Sequence, residues 1–278
     1  GGRREQAVAA LERVSVLLDG LSAQLEDETL RRAFSRGPLA VELQRIETLL
    51  EMSASSLPSQ TTPFIGRERE VSELRQMLWQ QPPVRLVTLV GPGGIGKTRL
   101  ATEVAAASAF RFRDDLLFVP LASLTATEQI VPAIVQTLRV QFREAGDERE
   151  QLLRYLGTRH QLLVLDNFEH LLDAASLVEE LLARAPDVTI LVTSREPLNL
   201  SSETVYRLSG LPYPEEPFDE KVQPSDYGAV ALLLQQIARH RPGFNPEPAE
   251  LQQIMRICRL VQGMPLAIVL AANWIELL

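Results

Sequence analysis

The segment GPGGIGKT at 91–98 is the stretch of the sequence best suited to chemistry. It satisfies the pattern G-x-x-x-x-G-K-[ST], with Gly91, Gly96, Lys97 and Thr98 in the required places. The glycines let backbone N–H groups turn toward phosphate oxygens, and the helix that follows directs its positive end at the same anion. In this pattern the lysine reaches the β- and γ-phosphates and the threonine hydroxyl binds Mg²⁺. The segment therefore predicts a site for the phosphates of a nucleotide.

A second apolar run, QLLVLD at 161–166, ends in a carboxylate. Ligands of open α/β sheets bind at the carboxyl ends of the strands, so Asp166 is expected to hold Mg²⁺ through water. The alternative for Asp166 is a helix cap at the end of a strand. Glu169 could orient or deprotonate an attacking water, or it could be a solvated first-turn residue that favours the helix dipole.

The run TILVTSRE at 189–196 adds a third strand that ends in polar residues. If this strand lies between those that carry the glycine-rich loop and Asp166, Thr193 and Arg195 point toward the γ-phosphate. Arg195 could then sense that phosphate or stabilise charge in the transition state. Without such neighbours it would be an ordinary surface arginine. The candidate catalytic residues are Asp166, Glu169 and Arg195.

The elements that must position these residues alternate between short apolar runs and longer helical patterns. Continuous apolar strands separated by helices predict an α/β fold, with a parallel sheet covered by helices on both faces. The predicted strands are 84–90, 116–121, 161–166, 189–194 and a weaker one at 204–209.

Polar, proline-rich stretches at 53–63 and 210–226 divide the chain. The residues before the first stretch and after the second have helical patterns without strand signals. We therefore expect a helical appendage at 1–53, a linker at 54–63, a nucleotide-binding α/β domain at 64–215 and a helical domain at 216–278. The appendage is expected to be either a packing extension or a surface for self-association or a partner.

The composition places further limits on function. Hydrophobic residues make up 45% and charged residues 23% of the chain, which is typical of a globular protein. The net charge of −8 argues against broad non-specific binding of nucleic acid, but it does not exclude a local basic groove. The one cysteine, Cys258, rules out an internal disulfide and is expected to be buried. Neither a signal peptide nor a run of about 18 apolar residues is present, so we expect a cytoplasmic protein without a membrane partner.

Five ordered motifs resemble those of the STAND NTPases, which are signal-transduction ATPases with numerous domains related to NB-ARC proteins. The motifs are PFIGRERE, GPGGIGKTRLA, LLVLDNFEHLLD, ILVTSREPL and ICRLVQGMPLAIVLAA. The sequence LDNFEHLL is most similar to the corresponding motif in the branch found in bacterial LuxR-type and related multidomain transcriptional regulators. The resemblance covers about residues 60–278. It implies an ASCE-type P-loop NTPase fold with a five-stranded parallel sheet, a C-terminal helical lid, and ATP or ADP with Mg²⁺ as ligands.

The resemblance also assigns residues around the base. The segment before the first strand would line the adenine pocket, with backbone groups of Ile65 and Gly66 at the edge of the base. Pro265 would close the other side of the base from the lid, and Arg195 falls at the sensor-1 arginine. Thr98 and Asp166 are the candidate metal ligands. The candidate nucleotide-binding residues are Phe64, Ile65, Gly66, Arg67, Gly91, Gly93, Gly94, Ile95, Gly96, Lys97, Thr98, Arg99 and Pro265.

The resemblance implies a switch that ADP holds closed and ATP opens for self-association, with slow hydrolysis to reset it. Two departures bear on this expectation. Asn167 stands where many relatives have a second acidic residue, and the chain stops at Leu278 where relatives continue into winged-helix, sensor and effector domains. The alternatives are an AAA+-type motor or loader acting on nucleic acid, and a scaffold that binds nucleotide structurally.

Overall fold

The computed structural model describes residues 57–60, 62–112, 116–140, 142, 146–215 and 223–275. The appendage expected at 1–53 lies outside the described residues. Within them the strands are β1 (Leu86–Val90), β2 (Leu116–Pro120), β3 (Leu162–Asp166), β4 (Thr189–Ser194) and β5 (Thr204–Arg207). The α-helices there are α1 (Glu68–Trp79), α2 (Lys97–Ser108), α3 (Ile130–Leu138), α4 (Glu148–Leu156), α5 (Ala175–Arg184), α6 (Gly228–His240), α7 (Pro248–Leu260) and α8 (Pro265–Ile275).

The strands form one parallel sheet in the order β2-β3-β4-β1-β5. The predicted α/β fold class is confirmed, and β4 lies between β1 and β3, as the expectation for Arg195 required. Four strands are one or two residues shorter than the predicted runs. The difference lies at the strand ends, where boundaries vary by one or two residues: the buried Leu121 and Leu208 lie just past β2 and β5, and their N–H groups still donate to Asp166 O and Val90 O.

The sheet is covered on both faces because its strands are apolar at successive positions. Successive side chains point to opposite faces, so β1, β2, β3 and β4 each contribute to two separate cores. Val87 and Leu89 pack in the core that includes residues of α1 and α2. Ile190 and Val192 pack in the core that includes residues of α3, α4 and α5. The carboxyl ends of β1, β3 and β4 therefore meet at one buried edge.

The last three helices pack around a third core that contains the fully buried Cys258. Its predicted burial is confirmed, and burial raises the pKa of its thiol to about 12. The turn before α8 has Gly263 at φ +66°, and a Cβ there would lie 2.0 Å from the Leu211 oxygen. Leu211 N–H donates to Gly263 O at 2.8 Å, which fixes the start of α8 beside the chain that leaves β5. We refer to α6, α7 and α8 as the lid. Across the described part of the chain, no helix combines the length and apolar character that crossing a membrane requires.

Candidate functional site

The loop between β1 and α2 needs its glycines for conformation and for space. Gly94 and Gly96 have φ values of +79° and +97°, a region that residues with a Cβ rarely adopt. A Cβ on Gly94 would also lie 2.7 Å from Leu266 Cβ of the lid. The loop leads directly into α2, whose first N–H groups lack partners within the helix. The result is a cradle of backbone donors that fits an anion.

Lys97 lies in this cradle with its ammonium bonded to the loop itself. Its Nζ donates to Gly91 O at 2.8 Å and to Pro92 O at 3.2 Å. The residue is buried, and burial lowers the pKa of the ammonium, while the Glu169 carboxylate opposes that shift. Carbonyl oxygens hold Lys97, and no carboxylate in the described part of the chain lies at ion-pair distance from it, so its charge stays available to an anionic ligand.

Asp166 is the centre of a cluster of oxygen atoms at the end of β3. Its Oδ1 accepts hydrogen bonds from Thr98 Oγ1 and Thr193 Oγ1, both at 2.7 Å. Thr193, which we expected to point toward the γ-phosphate, has a fully buried hydroxyl that donates to Asp166. Asn167 N–H donates in turn to Thr193 Oγ1 at 2.9 Å. Carboxylate and hydroxyl oxygens are the ligand types that Mg²⁺ prefers, so Thr98 and Asp166 fit this cation.

Glu169 and Arg195, which the sequence suggested separately, form an ion pair. Arg195 Nε donates to Glu169 Oε1 at 3.0 Å, and the guanidinium lies beside Gly93 of the loop. Glu169 is only 16% exposed, which excludes the alternative of a solvated residue, whereas Arg195 is 64% exposed. Glu169 Oε2 is buried and has no hydrogen-bond partner among the residues that the structure describes. The pair brings a carboxylate and an exposed cation to the same edge as Lys97.

A cavity of about 260 Å³ lies beside the loop, between the segment before α1 and the lid. Six of the sequence-predicted residues line it: Phe64, Ile65, Arg67, Gly96, Arg99 and Pro265. A larger groove of about 490 Å³ lies elsewhere, between the ends of α3, α4 and α5. None of the predicted site residues lines that groove, so the smaller cavity is the candidate base pocket.

Arg67 holds the wall of this cavity together. Its guanidinium is buried and donates to Ile95 O at 3.0 Å and Ser209 O at 2.8 Å. Burial lowers the pKa of Arg67, and the paired Glu70 opposes that shift. Arg67 therefore joins the start of α1 to the loop and to the chain that leaves β5.

Arg99 fixes the segment before α1 onto α2. It donates to both Thr62 O and Thr62 Oγ1, the latter at 2.8 Å, and lies 5.8 Å from the centre of the Phe64 ring. Gly66, the remaining predicted residue of this segment, packs against the first residue of α6. A Cβ on Gly66 would lie 2.7 Å from the Gly228 Cα. The segment is thus clamped between α2 and the lid.

The lid touches the loop directly. Leu266 N–H, in the first turn of α8, donates to Gly94 O at 3.2 Å. Pro265 begins the helix, where the missing N–H of a proline costs nothing. The phosphate cradle and the cavity therefore share one wall, and that wall belongs to the lid.

Sequence reasoning missed four lining residues of the lid, Leu232, Gln236, Arg239 and Val269. No motif marks them, because they are spread over α6 and α8. The one available signal is Gln236, an amide at a position that the apolar periodicity of α6 assigns to the core.

Comparison with known proteins identifies the family. Residues 67–205 match the NB-ARC domain. A Mycobacterium tuberculosis protein named as an HTH-type transcriptional regulator is 40% identical over 189 residues, which is 68% of this chain and 20% of that protein. The regulatory protein AfsR of Streptomyces griseus is 34% identical over 154 residues, 52% of this chain and 15% of that protein. The chain thus spans about a fifth or less of the length of these relatives.

The fold also has a counterpart among solved structures. The crystal structure of Cdc6p from Pyrobaculum aerophilum superposes with a TM-score of 0.51 and 19% identity, over 79% of this chain and 62% of that one. At this level of identity the likeness concerns the fold alone. The family match, the glycine-rich loop and the sheet order agree, and the chain belongs to the NB-ARC family of STAND P-loop NTPases.

Proposed function

We propose that this chain is the ATP- and ADP-binding switch module of a STAND ATPase that forms part of a bacterial transcriptional regulator. The observation that carries the proposal is the hydrogen bond from Leu266 of the lid to Gly94 of the phosphate loop. A nucleotide with its phosphates in the loop and its base in the cavity would touch the sheet domain and the lid together. Its occupancy would therefore bias how the two parts pack.

The phosphate end supports binding of a nucleotide with Mg²⁺. The loop amides and Lys97 would bind the phosphates, and Thr98 with Asp166 would hold the cation. When bound, Mg²⁺ would neutralise part of the phosphate charge. The buried Thr193–Asp166 hydrogen bond keeps the carboxylate oriented toward Thr98.

The Glu169–Arg195 pair supports a response to the third phosphate. A γ-phosphate near Gly93 would compete with Glu169 for the exposed guanidinium of Arg195. Glu169 would then be free to orient water, and its buried Oε2 is the atom we assign to that task. Because Glu169 must first leave its partner and because Asn167 is not acidic, hydrolysis is expected to be slow.

The proposed switch depends on the lid, because the lid borders both the phosphate cradle and the cavity. ADP favours the closed packing of lid on loop, whereas ATP shifts the population toward an open form that self-associates. The two relatives named as regulators support a role in transcription control.

Calorimetry with ADP and a slowly hydrolysed ATP analogue tests the proposal directly. We expect a saturable binding site for both nucleotides, Mg²⁺-dependent binding of the ATP analogue, and a larger assembly by light scattering with ATP than with ADP. A folded chain that binds neither nucleotide at millimolar concentration would refute the proposal. Fast turnover stimulated by DNA would instead indicate the motor or loader alternative.

A further inference from the structure

Gln236 is an amide in a place where α6 otherwise buries apolar side chains. Its neighbours on the same helix face, Leu233 and Ile237, belong to the core of the lid, and Gln236 is 8% exposed. A buried amide is costly unless its donors and acceptor find partners. Gln236 also lines the cavity assigned above to the base.

The hydrogen bonding of Gln236 is half complete. Arg239 Nη1 donates to Gln236 Oε1 at 3.4 Å. A guanidinium has donors and no acceptor, so the amide oxygen must be the atom that faces Arg239. The Nε2 donor then points away from Arg239, and it has no acceptor among the residues that the structure describes.

The cavity is of a size to hold a base and little more. Its volume of about 260 Å³ is smaller than the roughly 300–1,000 Å³ of pockets that take whole ligands. Its other lid residues, Leu232, Pro265 and Val269, offer apolar contact with the faces or edges of a ring. A purine also carries acceptor nitrogens in the plane of the ring, which need a donor when they are buried.

We propose that Gln236 reads the base, with its Nε2 donating to a ring nitrogen of adenine and Arg239 holding the amide in that orientation. This inference rests on the proposed nucleotide-binding function. It gives the lid a directional bond to the nucleotide in addition to apolar contact, so base identity is sensed by the part that moves. Arg239 is a positioning residue in this arrangement.

A double-mutant cycle between protein and ligand tests the bond. The ligands are ADP and its 1-deaza, 3-deaza and 7-deaza analogues, each with one ring nitrogen replaced by C–H. In the unaltered chain one analogue should bind roughly 5- to 10-fold more weakly than ADP. Gln236→Met, which keeps the shape and removes the donor, should lose a similar factor for ADP and no further factor for that analogue. Gln252→Met, at an exposed position of α7, is the matched control and should bind every ligand as the unaltered chain does.

The outcomes separate this inference from the function on which it rests. If the folded, unaltered chain fails to bind ADP, both are refuted. If it binds ADP but Gln236→Met changes nothing, or if the losses from the variant and from every analogue simply add, only the inference is overturned. Should Gln236→Met fail to fold, Gln236→Glu, which keeps the length of the side chain and removes the amide donors, takes its place in the cycle. Affinity for all three analogues equal to that for ADP contradicts the bond whichever variant is used.

The positioning role of Arg239 has its own readout. Arg239→Met should weaken ADP binding less than Gln236→Met does, and it should add nothing in the double variant. Full additivity of the two losses would mean that Arg239 contacts the nucleotide independently, which would overturn its positioning role.

Discussion

The two ends of the candidate site are built by different means. At the phosphate end, one eight-residue loop and the polar ends of two strands supply nearly every group, and those groups already bond to one another. At the base end, the wall comes from the segment before α1, from α2 and from two lid helices, and most of its contacts are apolar. The groups expected to bind the phosphates therefore all belong to the sheet domain, although the lid contacts the loop at Gly94, whereas the base end exists only while the lid is packed.

Removing the ammonium of Lys97 should have the largest effect and should act on any phosphate ligand. Lys97→Ala deletes a buried cation that no other described residue in the loop can replace, so ADP affinity should fall at least about 100-fold. Affinity for inorganic pyrophosphate with Mg²⁺ should fall as well. Calorimetry measures both, with Arg256→Ala on the exposed face of α7 as a control for lost charge. Affinity near that of the unaltered chain would contradict the assignment of the loop.

At the phosphate end, a change at Glu169 should lower the rate of ATP hydrolysis without changing nucleotide affinity. Glu169→Gln keeps an oxygen to accept from Arg195 but removes the carboxylate that would orient or deprotonate water. Turnover should fall about 100-fold while ADP affinity stays within twofold. Single-turnover hydrolysis of labelled ATP measures the rate, and Glu179→Gln, exposed on α5, is the control. An unchanged rate would assign Glu169 to holding Arg195 alone.

Filling the cavity should weaken binding of the base and leave binding of the phosphates unchanged. Val269→Phe adds a ring to a residue that lines the cavity, and excluding the base should cost about 2 kcal/mol, or roughly 30-fold in ADP affinity. Pyrophosphate binding should not change, because the loop is untouched. Leu270→Phe, at the next and exposed position of α8, should leave both affinities unaltered. Equal loss of ADP and pyrophosphate would show that the two ends are not independent.

This contrast explains what could be predicted from the sequence. The sheet and the phosphate loop were predictable because apolar runs and glycine spacing are local, and strand ends in a parallel sheet meet by necessity. The candidate base pocket was predicted only through the family resemblance, which assigned the segment before β1 and Pro265 to it. Gln236 and Val269 could not be found, because their place in the cavity depends on how α6 and α8 pack against the loop.

Side-chain pairing was the other limit. The sequence predicted that Asp166, Thr193 and Arg195 lie at one edge of the sheet. It did not predict which of these side chains form hydrogen bonds or ion pairs with one another. Thr193 bonds to Asp166 because a buried hydroxyl needs an acceptor, and β4 lies next to β3. Glu169 pairs with Arg195 because both follow the ends of these adjacent strands. Such choices are settled by tertiary distances of a few ångströms.

The smallest predicted effect concerns Arg195, which we propose distinguishes the two nucleotides. Arg195 is exposed and pairs with Glu169, so its contact with a γ-phosphate should contribute only about 1 kcal/mol. Arg195→Ala should therefore weaken an ATP analogue roughly 5-fold and leave ADP affinity unchanged, because ADP has no group at that position. Arg207→Ala, which removes an exposed arginine at the end of β5, should affect neither. Equal losses for both nucleotides would mean that Arg195 supports the loop in general, and the response to ATP would then have to arise at the lid.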